Sequence, residues 1–317
     1  MTAPMPAPTT ADTAPDTKPS LARFIPLVVM LLTPLFFSSN LIFGRSTIPE
    51  VAPFTLAFLR WTAAFVLLSP FLWLARTRVR SYVTTYPVHW LLLGFLGMWI
   101  CGAGVYYALQ FTTATNGTLI YTTSPLMVII LERLFFGRPT SWREIAGILV
   151  GFLGVAIIVL QGDFTNLVQS SFNRGDLMFI AAALSWAGYS VLLKGRRTAG
   201  LPVSALFAIV TLSGALLLAP FALWEYLAGA MMPRTLNAWG GIAGIVVFSS
   251  LLAFSGYQYG VARLGASTAS VFMYLLPPYG VGLAVLILDE PFETHHAIGI
   301  FTVLAGLVLA TAPRKKR

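Results

Sequence analysis

Apolar runs of about twenty residues, each closed by a short polar or basic stretch, recur along this chain from Phe24 to Ala312. A run of that length carries a helix across ~30 Å of hydrocarbon at ~1.5 Å per residue. Ten such spans are predicted, over residues 24–44, 53–75, 88–108, 113–131, 143–160, 177–193, 202–224, 238–262, 265–288 and 294–312. Few residues separate the third run from the fourth, or the eighth from the ninth. Both junctions are nevertheless split, because Thr112-Thr113 and Leu264-Gly265 hold one position of an internal repeat.

That repeat emerges when Gly104–Ala156 is shifted by 152 positions, which lays it without a gap on Gly256–Val308. Gly104 falls on Gly256, Tyr107 on Tyr259, Pro125 on Pro277, Pro139 on Pro291, Gly147 on Gly299 and Gly154 on Gly306. The small, polar run Thr115-Asn116-Gly117-Thr118 falls on Ser267-Thr268-Ala269-Ser270. The chain is a duplication. Two five-helix repeats are expected, residues 23–160 and 176–312, between an Ala, Thr and Pro rich tail (1–22) read as disordered and a basic tail (313–317). Phe24 to Gly44 is read as a retained first span, since a cleaved signal has a shorter apolar core and a cleavage site close behind it.

An odd number of spans per copy sends the second copy into the membrane from the opposite side. The fold class is therefore an all-α polytopic membrane protein whose ten transmembrane helices form two inverted repeats. Pro125 and Pro277 each fall about twelve residues into a span, ~18 Å deep and near the midplane. Proline inside a helix removes a backbone hydrogen bond and crowds the preceding turn. Both copies thus carry a hinge candidate at one depth, a pattern that suits alternating access around a central site.

Composition agrees with lipid as the solvent. Of 317 residues, 57% are hydrophobic and 10% charged, against about a quarter charged in a soluble domain. One cysteine, Cys101, leaves no intramolecular disulfide, and no Cys/His cluster has metal-ligand spacing, so no metal site is expected. The net charge of +9 invites a nucleic-acid partner, but the basic residues sit in loops between apolar runs. With the N-terminus in the cytoplasm, 16 Lys and Arg fall on the cytoplasmic side and 3 on the other, Arg60 lying within a span. This positive-inside split puts both termini in the cytoplasm. Lipid and a small molecule are the expected partners.

Ser185-Trp186 opens the second half, Pro277 stands in the ninth span, Glu290-Pro291 ends it, and Gly299 and Gly306 follow in the tenth. With five plus five spans, this order resembles the EamA-type permeases of the drug/metabolite transporter superfamily over residues 24 to 312. The resemblance implies a small-molecule transporter, often an exporter of amino acids or related metabolites, working without cofactor or ATP. Two departures stand out. Phe36-Phe37-Ser38-Ser39-Asn40 replaces a Trp-Gly-Ser-Asn-like stretch, and Arg138 replaces an acidic residue before the first loop proline.

Polar groups in mid-span must face protein or water. Trp99, Tyr106 and Gln110 form a polar-aromatic stripe on the third span, and Gln258 holds the Tyr106 position in the eighth, between Tyr257 and Tyr259. The fourth span offers Asn116, Tyr121 and Thr123, and the ninth Thr268, Ser270 and Tyr274. From these, Asn40, Tyr106, Asn116, Trp186, Tyr189, Gln258 and Thr268 are selected as substrate-binding candidates. Tyr106 with Gln258, and Asn116 with Thr268, are expected to meet across the pseudo-two-fold axis. The competing roles are a hydroxyl back-bond to its own helix for Ser and Thr, interfacial belting for Trp90, Trp142 and Trp239, and helix–helix glue for the amides. Arg60 has two readings, a structural clamp or a contact to a substrate carboxylate. The acidic residues all lie in tails, loops or the last turns of spans, and the pair His295-His296 reads as solvated. Gly147, Gly151, Gly154, Gly299 and Gly306 read as seams for close helix contact.

An intramembrane enzyme would need a nucleophile, paired carboxylates or metal ligands at depth. The chain offers none at suitable spacing. The expectation is an inner-membrane secondary transporter exporting small metabolites such as amino acids. A multidrug or nucleoside/nucleotide-type permease and a receptor or scaffold stay open beside it.

Overall fold

The computed structural model describes residues 24–165 and 173–312, so both expected tails lie outside the described residues. Ten helices in it are long and apolar enough to cross a membrane. In order they are Ile25–Gly44, Pro53–Leu74, Pro87–Ala108, Ala114–Phe136, Trp142–Val159, Arg174–Leu193, Val203–Leu227, Leu236–Leu264, Ala266–Ile287 and Thr294–Thr311, numbered below as spans one to ten. Polar side chains start several of them by accepting from backbone N–H groups left free in the first turn. Thr113, Ser141 and Thr235 cap the fourth, fifth and eighth spans, and Asn173 with Asp176 makes a capping box on the sixth. Gly137, in the left-handed region at φ 62°, closes the fourth. Glu225, from the end of the seventh span, accepts from the backbone N–H groups of Phe54 and Thr55 and from the Thr55 hydroxyl, and so caps the second.

Two stretches differ from the sequence reading. Arg76, Arg78 and Arg80, expected in a loop, lie on a further helix, Arg76–Thr85. Its Tyr82 hydroxyl meets His89 Nδ1 at 2.6 Å, and burial raises the Tyr82 pKa to about 12. Trp90 does not belt the interface; its indole N–H donates to the Ile209 carbonyl at 2.6 Å. Trp142 and Trp239 do stay exposed. The histidine pair is half-buried rather than solvated, and His296 Nδ1 accepts from the Glu293 N–H at 3.1 Å.

The inversion is visible in the packing. The fifth span lies along the tenth and the second along the seventh. The first contacts the eighth and ninth, and the sixth answers by contacting the third and fourth. Helical irregularities also come in pairs. The third and eighth spans each contain a wide, π-helical stretch, Phe95–Gly104 and Ile245–Leu252. Pro70 and Pro220 sit inside the paired second and seventh spans.

The fourth and ninth spans are broken outright. The fourth comprises Ala114–Tyr121 and Ser124–Phe136, and the ninth Ala266–Val271, a 3-10 turn at Phe272–Leu275, and Leu276–Leu288. Pro125 and Pro277 therefore do not sit in helix interiors. Each lies in the first turn of a new half-helix, where a missing N–H leaves no bond unmade. Hydroxyls bond to backbone carbonyls beside the breaks. Thr122 and Thr123 donate to the carbonyls of Leu119 and Ile120, and Ser38 reaches across from the first span to the Leu276 carbonyl at 2.9 Å.

Candidate functional site

A cavity of about 730 Å³ opens between the repeats, within the usual range for small-molecule sites. Its wall draws on the first span from Phe37 to Pro49, the third from Cys101 to Leu109, the fourth from Ala114 to Pro125, and the ninth from Met273 to Val281. Arg60 on the second span, Ile158 and Val159 on the fifth, Phe179 and Trp186 on the sixth, and Ser249 and Phe254 on the eighth complete it. Spans one, three and five contribute their C-terminal portions and spans two and four their N-terminal portions, all in one half of the bundle, while Trp186, Phe254 and the stretch from Met273 to Val281 reach the cavity near mid-span. The wall extends to the exposed Ile48 and Ala114 at that end.

Toward the other end, aromatic side chains fill the space. Phe254 is the hub, with ring centroids 4.9 Å from Trp61, 5.1 Å from Phe37, 5.6 Å from Trp186 and 6.0 Å from Phe207. Below it Tyr189 and Tyr257 are fully buried. The Tyr257 hydroxyl pairs with Ser190 Oγ at 2.6 Å, and Gln258 Nε2 donates to the Tyr189 hydroxyl at 2.9 Å. At the far end Ser267, opening the ninth span, donates to Glu132 at the end of the fourth. Arg138 bridges Glu132 at 3.1 Å and Glu144 at 2.8 Å. These bonds join the repeats across the end opposite the cavity; at the cavity end the links run around its rim, Thr112 to Asp176 and Thr235 to Glu50, each at 2.6 Å.

Arg60 is 6% exposed and contributes to the wall. Its Nε donates to Ser250 Oγ at 2.6 Å, Nη1 to the Tyr106 hydroxyl at 3.2 Å and Nη2 to the Ser249 carbonyl at 3.0 Å. The guanidinium carbon lies 4.5 Å from the Trp61 ring centroid, a cation–π contact that partly replaces lost water. Tyr106 passes the contact on, its hydroxyl lying 3.4 Å from Asn40 Oδ1. Tyr274, 1% exposed and on the wall, has a buried hydroxyl with no hydrogen-bond partner among the described residues.

Of the candidates chosen from sequence, Asn40, Tyr106 and Trp186 line the cavity, as do Pro125 and Pro277. Asn116, Tyr189, Gln258 and Thr268 are not among the lining residues. Tyr189 and Gln258 bond to each other in the packed floor, and Asn116 lies in the capped first turn of the fourth span. The expected cross-axis meetings fail for a geometric reason. An inverted copy reflects depth, so Asn116 and Thr268, each near the start of its helix, lie toward opposite ends of the bundle. Equal repeat positions meet only near the axis. The sequence reading also passed over Phe254 and Cys101; an apolar residue in an apolar span carries no mark of facing a cavity.

The EamA-like transporter family model matches residues 24–160 and 173–312. An Archaeoglobus fulgidus protein described as an "uncharacterized transporter" is 28% identical over 287 residues, covering 90% of this chain and 96% of its own. YyaM of Bacillus subtilis, described in the same words, is 27% identical over 234 residues, covering 73% and 75%. A Streptantibioticus cattleyicolor protein described as a "probable terminal-alkyne amino-acid exporter" is 26% identical over 198 residues, covering 62% and 63%. One crystal structure shares the fold at a TM-score of 0.72 and 21% identity, covering 90% of this chain and 97% of that one. With both halves matched, the chain is a multi-pass membrane protein and a transporter of the EamA-like family.

Proposed function

We propose that this transporter is a secondary exporter of small metabolites, working by alternating access in the plasma membrane with both termini in the cytoplasm. The carrying observation is the one-sided cavity. It is walled by both broken helices at Pro125 and Pro277, floored by aromatics, and opposed by a closed end where Ser267 meets Glu132. On the charge count of 16 to 3, the cavity faces outward in this state. The repeats at 23–160 and 176–312 act as the two bodies that rock about it. Asn40, Tyr106 and Trp186 are the substrate contacts from the original set. The Streptantibioticus cattleyicolor relative supports amino acids as a substrate class.

Counterflow in proteoliposomes tests this reading. A panel of labelled amino acids, nucleosides and cationic drugs should show exchange for at least one class, dependent on the protein. Absence of exchange across the panel would favour a receptor or scaffold.

A further inference from the structure

We propose that the cavity selects organic anions, with Arg60 receiving the carboxylate and the aromatic wall receiving an apolar body. The inference rests on the transport reading above and, among small metabolites, favours carboxylates without an ammonium group over the amino acids that the relative's description supports. Among the described lining residues Arg60 is the charged one, and the wall holds no Asp, Glu, Lys or His. Its three hydrogen-bond partners, Ser250, Tyr106 and the Ser249 carbonyl, are neutral. A guanidinium has five N–H donors, so two are left over after these three bonds. A buried cation without a carboxylate is costly, and an arriving anion would relieve it through charge-assisted bonds.

Two further features fix the rest of the ligand. The Tyr274 hydroxyl, buried and without a partner among the described residues, is a second polar group on the same wall. Phe37, Tyr121, Trp186 and Phe254 offer aromatic surface for an apolar body. What the wall lacks decides between an amino acid and its deaminated counterpart. An ammonium group finds aromatic faces and hydroxyls there but no carboxylate. The monoanion should therefore bind better than the zwitterion of the same skeleton.

Transport energetics follow from charge. Over a full cycle the carrier's own charges return, so the net charge moved is that of the substrate. An inside-negative potential of 100 mV then sustains an outward gradient of about 50-fold for a monoanion, with no coupling ion.

The test uses the full chain and a matched ligand series of 3-phenylpropionate, its amide, 3-phenylpropylamine and phenylalanine. Binding is read by tryptophan fluorescence and thermal shift in detergent. The carboxylate should bind ~10-fold or more tightly than the amide, in line with loss of a charge-assisted bond, and more tightly than phenylalanine. In Arg60→Gln that preference should vanish while the amide binds as before, and Arg60→Lys should restore part of it. If Arg60→Gln does not fold, the wild-type series decides alone. In proteoliposomes, a potassium diffusion potential positive inside should accelerate 3-phenylpropionate uptake relative to protein-free vesicles. Equal binding of acid and amide, tighter binding of phenylalanine, or no binding by the series would each overturn the anion assignment. Counterflow separates the two levels: exchange of other substrates without anion preference refutes only this inference, whereas no exchange at all refutes the transport reading.

Discussion

The fifth and tenth spans and the fourth and ninth are built from the same duplicated segment, yet they do opposite things. The fifth and tenth are unbroken and touch backbone to backbone. A Cβ added at Gly306 would lie 2.6 Å from Gly151 Cα, and one at Gly147 would lie 2.7 Å from Ala310 Cα. The fourth and ninth are each interrupted before a proline, and the interrupted stretches line the cavity. Around Gly280 on the ninth, an added Cβ would find nothing within 4 Å. Small residues in one helix pair exclude space and hold the halves together. In the other pair, prolines and hydroxyls permit a break and leave space. The duplication supplied one scaffold pair and one working pair from a single stretch of sequence.

Overpacking the scaffold should give the largest effect. Gly306→Val forces a branched side chain against the Gly151 backbone and should destabilise the protein by ~3 kcal/mol. Gly280→Val, in the cavity wall, should leave the melting midpoint nearly unchanged. Thermal melts of both variants by size-exclusion chromatography check the contrast, and similar midpoints would erase the distinction between the pairs.

Next in size is the break itself. Pro125→Ala, and Pro277→Ala combined with Pro278→Ala because both prolines lack the N–H there, should each allow the ladder to close across the interruption, slowing transport several-fold while folded protein stays abundant. Repeat partners should respond alike in kind. Wild-type exchange rates in both would make the prolines packing features only.

The smallest effect separates floor from wall. Gln258→Ala removes the bond to the buried Tyr189 hydroxyl and should lower stability by about 1–2 kcal/mol. Apparent affinity should hold, because Gln258 is not a lining residue. A loss of affinity at unchanged stability would move Gln258 back into the site.

These contrasts also show what the sequence could reveal. Span count, duplication and the depth of the breaks were legible, because hydropathy, fixed-offset matches and paired prolines are local signals. The π-helical stretch Phe95–Gly104 was not, since nothing in Phe-Leu-Gly-Met-Trp-Ile-Cys-Gly-Ala-Gly marks a wider turn. Arg60 drew notice as a lone buried charge, whereas Phe254, the hub of the floor, looked like any residue facing lipid. Asn116, Thr268, Tyr189 and Gln258 were drawn to the site by type and repeat position. Neither property says which way a side chain faces, and inversion sends equal positions to opposite depths.

The central claim is a cavity reached from one membrane face and closed at the other. Its direct test replaces Cys101, the chain's single cysteine, by serine and places one thiol at Gly280, where there is room. A membrane-impermeant thiol reagent is then applied to right-side-out and inside-out vesicles. The account predicts that Gly280→Cys reacts much faster from the outer face, and that a transported substrate slows this reaction. Equal labelling from both faces, or faster labelling from the cytoplasmic face, would contradict it.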